Sequence, residues 1–579
     1  MKKNQLQILL SGDKPVNVEH IIIRKKPKVV FKIYSKNQEF LLPKNIEDMI
    51  PLGHVSRLID TIIDQMNLKE IYEKYKGGGA SAYDPKMLFK VWVVGFLNRV
   101  YTSRPLAKSL RENVVFMWIS GKQTPDFRTL SGFRKSLGKE IKQIFKEIVK
   151  YGISIGIISG KDIFVDHTKI EANANKHKIV WRKQVEKRQR SIDEEIDRLF
   201  VYIDKVNDEE DKIFDNKDLP EQERKGFDKD KVKEIVEKIN KRIKDEKISR
   251  QEGVEIKKNV RRLGELAIKK LEYKNKKEIL KERNSYSRTD TDAVAMMMKD
   301  KKSIKPGYNE GVSVENGFVV NYIISDNCGD SKSFVPLMNG TIENLGKTPE
   351  TTTADSAYGN EEDHSYLERK NIGNYLKYNL YHKEKSKKWQ EAKLRFKDFR
   401  YDPEKDEFIC KNNVKLVFEK EFEDITLTGF VKKMRKYHAQ EGQCMNCPLK
   451  QKCTEGKARS ISVSWNAERL KEIARQNLSS DKGKELRKRR GNEVESVFGD
   501  KKLNNKMPRF ILRGIEKVNI EAGIYFITHN IRKIQKHLNK KREKNKENNK
   551  NNEKISIQNI ILTQNQNFYK NICFKNLTF

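Results

Sequence analysis

Apolar residues recur at mixed three- and four-residue spacings from about residue 40. In DMIPLGHVSRLIDTIIDQMNLKEIYEKY these are Ile50, Val55, Leu58, Ile59 and Ile62, a pattern that predicts a helix. After the breaker Gly77–Ala80 come YDPKMLFKVWVVGFLNRV, SRPLAKSLRENVVFMWIS and TPDFRTLSGFRKSL, with Pro85, Pro105 and Asp126 placed where helices begin. The pattern changes at 161–166, where KDIFVD reads as a buried strand ending in an acid. From about 182 to 288 Lys, Glu, Asp and Arg dominate around sparse Ile, Val and Leu, which predicts long solvated helices, a hairpin inserted at 183–287. KPGYNEGVSV, the turn ENG and FVVNYIIS then read as a β-hairpin. SKSFVPLMNGTIENLG reads as a helix, TPETTTAD as a second strand ending in an acid, NEEDHSYLERKN as a helix and NYLKYN as a strand. The stretch 396–483 is irregular and β-like, and it holds four of the six Cys. Helical periodicity returns in DKGKELRKRRGNEVESVFGDKK and GIEKVNIEAGIYFITHNIRKIQKHL. The Lys/Asn-rich tail, 539–579, is expected to lack structure until IQNIILTQ near its end. No internal repeat is found.

The predicted organisation is therefore an arm (1–39), an all-α domain (40–150), and an α/β core assembled from 160–182, 288–395 and 484–538. A charged helical insertion (183–287) and a Cys-containing one (396–483) interrupt that core, and the tail follows. A chain of 579 residues excludes a single small binding module.

Charge narrows the partner. With 120 Lys+Arg against 82 Asp+Glu, the net charge of +38 favours polyanions, nucleic acid first among them. Compositional drift toward Lys, Asn and Ile is the alternative. Arg99, Arg104, Lys108, Arg111, Arg128 and Arg134 lie among the short N-terminal helices and suit a DNA-binding domain, although a dimerisation or packing domain fits the same pattern. Six Cys are too few for a disulfide-stapled secreted protein, and MKKNQLQILLSGDKP has too short an apolar run for a signal peptide. No stretch approaches the roughly 20 apolar residues that span a bilayer. The expectation is a cytoplasmic, nucleoid-associated protein with reduced thiols and no membrane contact.

Three acids stand at special points in the element order: Asp166 and Asp355 at strand ends, and Glu495 on the late helix. Strand ends and a helix face meeting at one sheet edge can gather carboxylates, the hard ligands that Mg²⁺ and Mn²⁺ prefer. Three acids out of 82 decide nothing alone, so the surrounding motifs must.

DIFVDHTKIEANAN at 162–175 closely resembles the D-G-T-K-I-E-A-N signature around the first aspartate of bacterial insertion-sequence DDE transposases with a ribonuclease H-like core. SRTDTDAVAMMMKDKKSIKPGYN resembles the S-x-T-D-P-D-A block of the same branch and the K-P-G-Y-N after it, and TADSAYGNEEDHSYL its second-aspartate motif. VESVFGDKKLNNKMPRFILRGIEKVNIEAGIYFITHNIRK is similar to its glutamate block, V-E-x-V-F-G-x-x-K followed by R-F-x-L-R-G. IPLGHVSRLID, YDPKMLFK, YTSRPL and PDFRTLSGFRKSL resemble the helical domain that precedes the core in these enzymes.

The resemblance implies a ribonuclease H-like mixed-sheet core behind the all-α domain. It assigns the catalytic, metal-binding acids to Asp166, Asp355 and Glu495, holding Mg²⁺ or Mn²⁺, two ions in all. Asp162 competes for the first role and Glu493 for the third, since Arg489 has the family's offset from Glu493 while Lys502 has it from Glu495. Glu495 is preferred because seven residues is close to two helical turns, so it shares a face with Lys502. Lys502, Arg489, Arg490 and Arg513 are the candidate DNA-phosphate contacts, with a merely solvated helix face as the alternative. Glu171, Asn173 and Asn175 either order the site or make ordinary turn hydrogen bonds. His167, Ser356 and Asp500 depart from the family's usual residues, and His167 either crowds the metals or points away.

Cys410, Cys444, Cys447 and Cys453 can close a tetrahedral structural Zn²⁺ site, the alternative being free buried thiols. Cys328 and Cys573 are unassigned, and no Gly-rich P-loop is present. The implied activity is DNA transposition: binding of terminal inverted repeats in double-stranded DNA, then metal-dependent cleavage and strand transfer by a homodimer or larger synaptic complex. The rivals are a domesticated or inactive DNA-binding derivative and a ribonuclease H-like nuclease that cuts without joining.

Overall fold

The computed structural model describes residues 45–75, 81–214, 250–298 and 303–548. Expectations for the arm 1–39, the breaker Gly77–Ala80, the middle of the helical insertion, the segment IQNIILTQ and Cys573 lie outside the described residues. Of the described residues, 45–49 fall outside the main unit, and Ile46–Met49 is a 3₁₀ turn.

Seven helices open the main unit: α1 (Val55–Gln65), α2 (Lys69–Tyr72), α3 (Pro85–Leu97), α4 (Ser103–Glu112), α5 (Val114–Ile119), α6 (Phe127–Ser136) and α7 (Glu140–Ser154). Their starts follow the sequence signals. Asp84 accepts from the Met87 amide at 3.0 Å with Pro85 in the first turn, and Asp126 accepts from Thr129 at 2.7 Å. α3 is apolar nearly all round and buried, as suits a central helix.

Eight strands follow: β1 (Asp162–Glu171), β2 (Ile179–Trp181), β3 (Ser285–Ser287), β4 (Val294–Met297), β5 (Ile304–Glu315), β6 (Phe318–Ser325), β7 (Thr351–Ala354) and β8 (Gly373–Leu376). Six form a mixed sheet in the order β4-β5-β1-β7-β8, with β6 and β4 sharing the far edge of β5. β1 runs antiparallel to β5 and parallel to β7. The β5–β6 hairpin turns on Asn316 and Gly317, both at positive φ (56° and 70°), the conformation that an Asn-Gly hairpin turn requires.

Two long helices, α8 (Arg182–Phe214) and α9 (Arg250–Leu280), leave and re-enter the core through the β2–β3 pair. They pack through Ile192, Ile196, Leu263 and Leu266. Helices α10 (Phe334–Leu345) and α11 (Glu361–Arg369) flank β7, and α12 (Lys387–Ala392) precedes a second sheet. The region read as irregular is regular: β9 (Arg400–Asp402), β10 (Glu407–Ile409), β11 (Lys415–Ile425), β12 (Val431–Ala439) and β13 (Ser460–Val463) form one antiparallel sheet with its own small core. A short α13 (Lys450–Cys453) sits in the β12–β13 connection, followed by α14 (Trp465–Ser479), α15 (Asp481–Gly499) and α16 (Ile515–Asn548).

One hydrophobic core runs from Leu58 in α1 to Leu538 in α16, so the N-terminal helices and the mixed sheet share an interior. The TDTDA block has a structural task in it. Asp290 accepts from the Tyr308 hydroxyl (2.9 Å) and the Gly514 amide (3.1 Å), and Asp292 accepts from the Ile515 amide (2.9 Å), which satisfies donors at the start of α16. The expectation of an unstructured tail from 539 is corrected: α16 continues to Asn548. Ile531, Ile534 and Leu538 anchor the helix on the core, and propagation from an anchored helix adds a hydrogen bond for each residue fixed.

Candidate catalytic carboxylates

β1 is longer than expected. It does not end at Asp166 but pairs with β5 from Phe164↔Val314 to Glu171↔Gly307. Its parallel pairing with β7 stops at Phe164↔Thr353, so Asp166 lies just past the end of that ladder. Asp355 follows directly on β7, and its Oδ1 accepts from the Ala357 amide at 3.0 Å to cap the 3₁₀ turn Ser356–Tyr358. Two neighbouring parallel strands thus deliver both aspartates to one place at the carboxyl end of β7.

Arg490 of α15 joins them. Its Nη2 lies 3.1 Å from Asp166 Oδ2 and 3.5 Å from Asp355 Oδ2, so the two carboxylate oxygens are no further apart than those distances combined. A single cation between two carboxylates relieves their repulsion. The Arg490 and Asp166 side chains are each 13 % exposed, while Asp355 is 37 % exposed.

The competing acids are committed elsewhere. Asp162 accepts from Thr351 Oγ1 (2.8 Å) and pairs with Arg489 (2.9 Å), tying β1 to β7 and α15. Glu493 accepts from the Gly317 amide at 2.5 Å beside Arg489, and burial raises its carboxyl above the ordinary range. Glu495 is exposed on α15. Among the described residues no three His, Cys, Asp or Glu side chains already stand in a metal-holding arrangement, so Glu495 is not gathered with the two aspartates.

His167 points away from Asp166, as strand alternation requires. Its ring lies over its cross-strand partner Gly311, where a Cβ would fall inside the imidazole. Nδ1 meets the Tyr358 hydroxyl at 2.5 Å, and burial lowers the imidazole to about 4, keeping it neutral. Tyr358, on the turn that Asp355 caps, has its hydroxyl pushed well up by burial and by Asp166, Asp330 and Asp355. Asp330, in the loop after β6 and held by Asn309 Nδ2 at 2.6 Å, is an acid beside this site that the sequence reading missed. The only signal was an acidic, Gly-containing loop directly after a strand.

The basic candidates divide. Arg489 and Arg490 are in the ion pairs above, and Lys502 donates to Thr168 Oγ1 (2.6 Å) and the Lys169 carbonyl (2.9 Å). Arg513 is exposed and donates to the Asn173 carbonyl at 2.7 Å. Glu171 pairs with Lys305 (2.9 Å), Asn173 Nδ2 donates to the Ile511 carbonyl (2.6 Å), and Asn175 accepts from the His177 amide, all local ties. Arg99, in the turn after α3, and Arg104, Lys108, Arg111 and Arg128 on the N-terminal helices are exposed, with Arg104 and Arg128 on the Phe127 ring. Arg134 is a correction: it is buried over Trp92 and donates to the Tyr101 carbonyl, because the aromatic ring and an orphan carbonyl hold it inside. Cys410, Cys444, Cys447 and Cys453 line one small cavity, and Cys328 is a separate exposed thiol.

Two family models match parts of the chain, and neither reaches Asp166 or Asp355. Residues 409–535 match a family model described as transposase DDE domain, and residues 44–136 match one described as transposase domain (DUF772). The chain thus carries two transposase-type segments. The first spans Arg490, Glu493 and Glu495, and the second most of the N-terminal helices. No curated protein and no solved structure matches the chain. Among the described residues no helix is long and apolar enough to cross a membrane.

Proposed function

We propose that the protein is a DNA transposase of the insertion-sequence DDE type, with Asp166, Asp355 and Glu495 as its metal-binding acids on a ribonuclease H-like core. The observation that carries the reading is the meeting of Asp166 and Asp355 from adjacent parallel strands around one positive charge, the Arg490 guanidinium. Two carboxylates already sharing a cation fit a divalent ion, since hard oxygen ligands are what Mg²⁺ and Mn²⁺ select. Bound there, two such ions supply the charge that activates a water or a 3′-hydroxyl and stabilises the leaving oxygen of a phosphodiester. The chain's own residues do the rest. Asp166 and Asp355 would hold the ions at the carboxyl end of β7, and Glu495, on the helix that carries Arg490, would be the third ligand. Tyr358 and neutral His167 fix the turn that presents Asp355. Exposed Arg99, Arg104, Lys108, Arg111, Arg128 and Arg513 supply phosphate contacts that position double-stranded element ends. Lys502 stands beside Thr168, two residues along β1 from Asp166, where it steadies that strand. Two ends must be held at once, so the working form is a dimer or larger synaptic complex of a nucleoid-associated protein.

The test is cleavage. Purified protein with Mn²⁺ should nick DNA at the junctions of the sequences that flank the gene, and Asp166→Ala and Asp355→Ala should abolish nicking while retaining end binding in a gel-shift assay. Specific binding without nicking by the unmutated protein would instead leave a DNA-binding derivative.

A further inference from the structure

The small sheet β9–β13 buries few side chains of its own: Phe399, Phe408, Leu416, Tyr437, Ile461 and Val463 make most of its core. Units with so little interior usually need a covalent or metal staple. At one end of this core stand four thiols from two connections, the β10–β11 turn and the β12–β13 connection. Cys410 lies in the β10–β11 turn, Cys444 and Cys447 in the loop after β12, and Cys453 at the end of α13. All four are free, and all four line the same small cavity together with Lys450 and Arg459. The thiols of Cys444, Cys410 and Cys447 are close enough to Cys453 to act on it electrostatically.

Two further features suit a metal ligand rather than a packed apolar thiol. The Asn412 and Val414 amides both point at Cys410 Sγ, each at 3.3 Å, so its sulfur is already held by backbone donors, as orienting hydrogen bonds hold a metal-bound ligand. Cys444 and Cys447 form the short CxxC spacing that lets two sulfurs share one ion, and Cys410 and Cys453 supply the two more that tetrahedral Zn²⁺ takes. A four-thiolate zinc centre carries net negative charge, which the adjoining Lys450 and Arg459 offset.

We propose that Cys410, Cys444, Cys447 and Cys453 bind one Zn²⁺ as four thiolates, and that this structural ion pins the β10–β11 turn to the loop that follows β12. Among the described residues no three His, Cys, Asp or Glu side chains already stand in a metal-holding arrangement, so the four sulfurs lining this cavity must be drawn together to bind. Binding draws them in and couples metal affinity to the folding of the small sheet. The inference stands on the sheet alone, so its failure would leave the DNA reading untouched.

The experiment uses the full chain purified with reductant. Zinc is counted by mass spectrometry after gel filtration, and the EDTA-treated protein is titrated with CoCl₂. About one zinc per chain and a cobalt–thiolate charge-transfer band are expected. Both should vanish in Cys444→Ser/Cys447→Ser and persist in Cys328→Ser and Asp166→Ala, which separates this site from the catalytic acids. Absence of both zinc and the cobalt band in the unmutated protein would overturn the proposal, whether or not the double variant folds. So would a band that survives Cys444→Ser/Cys447→Ser.

Discussion

Replacing Arg490 by Gln removes the one charge that Asp166 and Asp355 are seen to share while keeping most of the side-chain volume. Removing one partner of a buried ion pair costs about 3–5 kcal/mol, because an uncompensated charge remains behind. The pair with Asp166 is largely buried, but Asp355 is 37 % exposed and screened by water, so only the first pair counts nearly in full. We therefore expect Arg490→Gln to lose about 2–3 kcal/mol in EDTA. A divalent ion between the same carboxylates replaces the missing charge. It no longer competes with a guanidinium, so the variant should gain more from Mg²⁺ than the unmutated protein does. At roughly a hundredfold excess over its Kd the variant's gain is about 2.7 kcal/mol, so the deficit shrinks by that amount less what the parent gains. Urea midpoints of both proteins in EDTA, in Mg²⁺ and in Mn²⁺ measure it. A variant as stable as its parent in EDTA, or a deficit of equal size with and without metal, would refute the reasoning.

Gly311→Ala should cost about 1–3 kcal/mol, because the new methyl group meets the His167 ring, and should cost much less in a His167→Ala background. A double-mutant cycle by urea denaturation reads the coupling, and simple additivity would contradict the packing described. Asp363 of α11 is buried beside Glu362, and burial pushes its carboxyl up to about 9. Between the ordinary carboxylate range near 4 and about 9 the unfolded chain binds fewer protons than the native one, so this residue makes stability fall as pH rises. Asp363→Asn should accordingly gain stability relative to its parent from pH 5 to pH 8. Parallel pH profiles would show that the carboxyl is not held protonated.

Much of the fold was legible because it rests on local periodicity. The β5–β6 hairpin, α10, β7, α11 and β8 appear where the apolar pattern places them. Reading Asp166 and Asp355 as acids at strand ends pointed to one end of the sheet, although β1 runs on past Asp166. What escaped depends on pairing. β1 runs past Asp166 because β5 is long enough to ladder it, which no property of HTKIE alone announces. The second sheet looked irregular because β11 is exposed along most of its length and carries charge on both faces, so the alternation that marks a half-buried strand is missing. Arg490 read as a phosphate contact because its partners lie more than a hundred residues away on other strands. Asp330 escaped because it reaches the site only through the packing of a loop.

The most direct measurement is joining. Purified protein is incubated with Mg²⁺ or Mn²⁺, DNA carrying the element's ends and a plasmid target, beside Asp166→Ala, Asp355→Ala, Glu493→Ala and Glu495→Ala. Products with the freed 3′-hydroxyl joined to the plasmid are expected from the unmutated protein and from Glu493→Ala, whose carboxylate is occupied by Gly317. They are expected from none of the other three. Cleavage without joining would mark a nuclease instead, and joining that survives Glu495→Ala but not Glu493→Ala would contradict the assignment of the third acid.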